Sequence, residues 1–136
     1  MPVALHHLII AVADREAAVA WLVDLLELRE PWENGFFLSV QLDDHLVLNV
    51  AQPPVPVQPQ HYAFLVDDDH FDRIKARFDA DATPYTADPP GRRPGEVGAV
   101  NLDGSGRRLY FRGPSDHMLE VLTQRYTDVP VGSRSS

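Results

Sequence analysis

The sequence predicts an α+β protein made of two copies of one strand–helix–strands module, paired about a pseudo-symmetric core. Three observations carry this prediction. A strand that opens on His and reaches Val five residues later occurs twice, at His7 to Val12 and at His61 to Val66, offset by 54 residues. An amphipathic helical stripe follows each copy. Between the halves lies Gln52 to Gln60, with four prolines in nine residues, which can be neither a helix nor a central strand. Two small modules that cannot bury their faces alone gain a core by pairing.

The first strand runs from Ala4 to Val12, rich in Leu, Ile and Val. Asp14 can cap the helix that follows by accepting hydrogen bonds from its first free amides. Ala18, Leu22, Leu25 and Leu26 recur at i, i+4, i+7 and i+8, the buried stripe of that helix, which stops near Pro31. Phe36 to Leu42 and His45 to Ala51 then form a hairpin about Asp43-Asp44. In the second half, His61 to Val66 is a strand, Asp67 to Asp69 supply a cap, and Phe71, Ile74 and Phe78 mark the helix. A Pro/Gly-rich loop from Pro84 to Gly95 leads to strands near Ala99 to Leu102, Arg107 to Arg112 and His117 to Thr123. The organisation is one domain over residues 1–127, with module one at 1–52, a linker at 53–60, module two at 61–127, and a disordered tail at 128–136.

Composition narrows the partners. The 136 residues are 44% apolar and 24% charged, with net charge −8 and no cysteine. The negative charge argues against nucleic acid, which needs clustered Lys and Arg. Without cysteine, any metal must be held by nitrogen and oxygen. No apolar run approaches the roughly 20 residues that span a membrane, and the N-terminus does not read as a signal peptide. The expectation is a cytoplasmic protein that acts on a small molecule, most simply as a homodimer.

Alternation along the strands selects the candidate ligands. His7 shares a face with Ile9 and Ala11, and His61 with Ala63 and Leu65. The opposite faces carry Leu8, Ile10 and Val12, and Tyr62, Phe64 and Val66, which suit packing beneath helices. Both histidines therefore project away from the helices, at symmetric positions that packing does not explain and a metal does. His6 points the other way, His70 is solvated at a helix start, and His117 serves a turn. Glu120 is a lone acid in an apolar strand, costly unless it is paired, protonated or metal-bound.

These segments resemble the vicinal oxygen chelate superfamily of glyoxalases, bleomycin-resistance proteins and extradiol dioxygenases. The likeness lies in His7 through Trp21, in His61-Tyr-Ala-Phe-Leu-Val-Asp67, and in Tyr110-Phe-Arg-Gly-Pro-Ser-Asp-His-Met-Leu-Glu120. It implies two βαβββ modules forming a pseudo-symmetric open barrel-like sheet around a central metal site, with His7, His61 and Glu120 as ligands. The metal implied is divalent, Fe(II) before Zn, Mn, Ni or Co. Two positions depart from the family pattern. Asp116 stands where the closing turn normally has glycine, a site of positive φ that Asp tolerates. Asn49 or Leu48 stands where glyoxalase I-type sites carry a second glutamate, which favours a three-ligand site. Extradiol ring cleavage fits the resemblance best, with Tyr110 binding a substrate oxygen and His45 as acid–base. The alternatives are a bleomycin- or fosfomycin-type resistance protein, or a glyoxalase-like isomerase or lyase. A fosfomycin-type site would draw on Arg92, Arg93, Arg107 and Arg108, which read more simply as solvated loop arginines.

Overall fold

The computed structural model describes residues 3–89, 91–101 and 104–124; the expected tail at 128–136 lies outside them. The chain forms two compact units that divide after Gln58. The first contains β1 (His7–Ala11), α1 (Arg15–Leu26), β2 (Trp32–Asn34), β3 (Phe37–Gln41) and β4 (Val47–Ala51). Its sheet runs in the order β1-β4-β3-β2, with β1 and β4 parallel and the other pairs antiparallel. The second contains β5 (His61–Leu65), α2 (Asp68–Asp81), β6 (Thr86–Asp88), β7 (Arg92–Pro94), β8 (Gly98–Ala99), β9 (Arg107–Arg112) and β10 (Met118–Leu122). Its order is β5-β10-β9-β6-β7, with β8 on the side of β9, and β5 and β10 are parallel. Neither sheet closes on itself.

Capping and periodicity explain the helices. Asp14 accepts from Ala17 N at 3.0 Å and Asp67 from His70 N at 2.8 Å, so each module's aspartate ties down a first-turn amide. The stripes predicted for both helices are buried: Ala18, Leu22, Leu25 and Leu26 in α1, and Phe71, Ile74 and Phe78 in α2. They cover the sheet faces formed by Ile10, Leu38, Val40, Leu48 and Val50, and by Phe64, Leu109, Phe111, Leu119 and Val121. Phe78 meets Phe111 edge to face at 4.8 Å. Each such side chain removed from water contributes about 1.5–3 kcal/mol. On the other faces His7, Ile9, His61, Ala63 and Leu65 are exposed, whereas Ser39, Asn49, Tyr110 and Glu120 are buried. Among the described residues no helix is long and apolar enough to cross a membrane.

Several expectations need correction. Trp32–Asn34 is a third short strand beside the expected hairpin, and the Pro84 to Gly95 loop contains β6 and β7. Both were hidden because three-residue strands show too little alternation. β4 begins at Val47, so His45 is not on a strand. Arg107 and Arg108 belong to β9 and are ion-paired, not solvated loop residues.

Candidate metal site

The second unit assembles its site from β5, β9 and β10. Parallel pairing sets Glu120 opposite Ala63, two residues beyond His61. Antiparallel pairing sets Tyr110 directly opposite Glu120. All three side chains thus share the face away from α2. His61 Nε2 lies 3.2 Å from Glu120 Oε1, and the His61 and Tyr110 ring centroids are 5.9 Å apart. The Glu120 side chain is 4% exposed, whereas His61 is 49% exposed. The second carboxylate oxygen, Oε2, is buried without a hydrogen-bond partner. A buried acceptor left in that state costs about 1–3 kcal/mol, so folding alone does not account for this glutamate. A cation held jointly with His61 would satisfy it, and the imidazole–carboxylate donor set suits Fe(II), Mn(II) or Zn(II). Among the described residues no third His, Asp or Glu joins the pair.

His117 fixes the entry to this strand pair. It is buried, its Nδ1 accepts from Gln60 N at 2.9 Å, and its ring stands edge-on to Tyr62 at 5.4 Å. Met118 N donates to Gln60 O at 2.9 Å, so β10 grips the residue before His61 from both sides. The preceding turn holds Asp116 at φ 62°, the left-handed conformation expected there, and Ser115 at φ 58° as well. A cavity of about 320 Å³ shares Tyr110 with this cluster and is lined also by Met118, Thr86, Tyr85, Phe111 and Arg112 among others. That volume suits one small aromatic ligand. On the same face, Asp88 receives hydrogen bonds from Arg93 and from Arg108, which hold its carboxyl below the ordinary range.

The first unit carries the other candidates. His7 begins β1 and is exposed, and its Nδ1 lies 2.8 Å from Nδ1 of His6 with the rings edge to face. His6, expected to be a helix-side or rim residue, precedes the strand and is exposed. Asn49 lies opposite Ile9, as Glu120 lies opposite Ala63, so the two are equivalent positions of the repeat. Asn49 is buried and accepts from Ser39 Oγ at 2.7 Å, and Ser39 in turn accepts from Asn34 Nδ2 at 3.1 Å. The place of the second acid is thus filled by a satisfied neutral ladder. His45 is exposed in the turn before β4, where Asp43 Oδ1 accepts from its amide at 2.8 Å. The cavity, the Asp88 cluster and the Ser39 ladder had no signal in the sequence, because each depends on cross-strand register.

No family model matches the sequence, and no curated protein does. Among solved structures, the oxidase ChaP-H1 is 42% identical at a TM-score of 0.83, with 92% of this chain and 98% of that one covered. The oxidase ChaP-H2 is 40% identical at 0.83, over 92% and 96%. A fosfomycin resistance protein, FosX from Mesorhizobium loti, shares the fold at 24% identity and a TM-score of 0.65, over 94% and 98%. The chain belongs to the vicinal oxygen chelate superfamily. Superfamily members of this fold generally use divalent metals and act on small molecules. Here the fitting donors are His61 and Glu120 in the second unit.

Proposed function

We propose that this protein is a metal-dependent oxidative enzyme of ring-cleaving type, acting on a small catechol-like compound with dioxygen. His61, Glu120 and His7 are its ligands, and iron(II) is the preferred metal. The observation that carries the reading is the buried Glu120 carboxylate, with Oε1 at 3.2 Å from His61 Nε2 and Oε2 without a partner. The similarity to two proteins named as oxidases favours oxidation over isomerisation. Asn49 supports the same choice, since its neutral ladder leaves no second acid for a glyoxalase I-type set. The three ligands come from one chain, or from two copies as a homodimer.

A divalent metal held by these residues would supply Lewis-acid and redox chemistry toward a catechol and dioxygen. Ring cleavage consumes one O2 per catechol with both atoms entering the product, so no external reductant is required. The chain's own groups do the rest. Tyr110, opposite Glu120 and lining the cavity, donates its hydroxyl to a substrate oxygen and orients the ring. Met118 presents apolar surface that excludes water from the ring. His45 is the proposed acid–base group for the catechol proton. The test is oxygen uptake by iron-loaded protein with a panel of catechols. A yellow cleavage product that is lost in Tyr110→Phe and Glu120→Ala supports the reading, and silence across the panel removes it.

A further inference from the structure

Strand β9 presents Arg108, Tyr110 and Arg112 on the face that also carries Glu120, since alternate residues share a side. The two arginines differ in what they already hold. Arg108 Nη2 is 2.8 Å from Asp88 Oδ1, and Arg93 engages the same carboxylate. That guanidinium is committed to the fold. Arg112 donates only to the backbone carbonyl of Asp116, from Nη1 at 3.3 Å, and among the described residues it pairs with no carboxylate. Among the described residues it is also the one charged side chain lining the 320 Å³ cavity, whose other walls include Tyr110, Met118, Phe111 and Tyr85.

We infer that Arg112 is a specificity residue that anchors a carboxylate on the substrate, so the ligand is an aromatic carboxylic acid rather than a neutral ring. The cavity offers an apolar slot for the ring and a single cation at its edge. A guanidinium fork matches a carboxylate in two parallel hydrogen bonds. The chain's net charge of −8 repels anions in general, so an anionic ligand needs a local cation of this kind. The catechol part of the ligand rests on the proposed oxidation; the anchor itself rests on the cavity.

The experiment is calorimetric titration of full-length, chelator-treated protein with 2,3-dihydroxybenzoate and with catechol, independent of turnover. Wild type is expected to bind the carboxylate about fivefold more tightly, the scale of a part-exposed ion pair. Arg112→Gln erases the preference, Arg112→Lys keeps part of it, and Arg77→Gln on the outer part of α2 leaves it whole. Equal affinities in wild type, an undiminished preference in Arg112→Gln, or no binding of either probe overturns the inference. Oxygen uptake with catechol but no carboxylate preference removes the anchor and keeps the oxidation reading. A preference without uptake by iron-loaded protein does the reverse.

Discussion

Replacing Glu120 with Met separates a ligand from a structural carboxylate. Met has similar length and no charge, so it fills the buried site without leaving an acceptor unpaired. Two opposing effects follow. In chelator-treated protein the variant loses the bond from His61, which is half exposed and can turn to water. It also loses the penalty of a 4% exposed carboxylate whose Oε2 has no partner, on the order of 1–3 kcal/mol. The exposed side of the His61 pair limits its worth to about 1 kcal/mol, so the net is stabilisation. For 136 residues, 1 kcal/mol corresponds to about 3.5 °C in Tm. The metal-free variant should therefore melt a few degrees above wild type. With iron(II) or zinc at 100 times Kd, wild type gains about 2.7 kcal/mol, or roughly 9 °C, and the variant gains almost none. Differential scanning fluorimetry with and without chelator reads both effects. A metal-free Glu120→Met that melts lower than wild type, together with an unchanged metal shift, would refute the reasoning and make Glu120 a structural partner of His61.

Other outcomes follow from the same geometry. Gly98→Ala would place a Cβ 2.6 Å from Ala87 O and 3.2 Å from Arg108 Nε; the backbone clash should cost about 1–3 kcal/mol by urea denaturation. Tyr85→Phe removes the hydroxyl donated to Asp79 at 2.6 Å, which with Lys75 holds that carboxyl below its usual range. A depressed carboxyl stabilises above its unfolded value, near pH 4, and stops doing so as pH falls through the native one. The variant should thus unfold at lower urea than wild type at pH 7, and the gap should narrow at pH 3. His45→Gln should lower kcat about tenfold or more, with metal content unchanged, if His45 moves the proton; unaltered kcat assigns it to the Asp43 turn alone.

Much of the fold was legible because the repeat encodes it twice. The caps Asp14 and Asp67, the stripes beginning at Ala18 and Phe71, and the proline connector each rest on local chemistry that a sequence displays. The short strands β2, β6 and β7 were not legible, because three residues bear no period and their pairing is fixed by longer neighbours. Of the site, His61, Tyr110 and Glu120 were found from alternation, repeat and resemblance, and the second unit brings them together. His45 was set on a strand because its apolar neighbours continue that pattern, yet the Asp43 side chain captures its amide and holds it in a turn. Arg112 reads as one scattered cation in the sequence; β9 sets it on the face of Tyr110, where it lines the cavity.

Metal content tests the central claim most directly. Protein purified without oxygen and loaded with iron(II) should carry about one equivalent in wild type by plasma mass spectrometry. His7→Ala, His61→Ala and Glu120→Ala should each lose most of it, because removing one of three ligands typically leaves too few donors to hold the ion. Asn49→Ala, at the repeat position equivalent to Glu120, should keep it. Full occupancy in all three ligand variants would contradict the account.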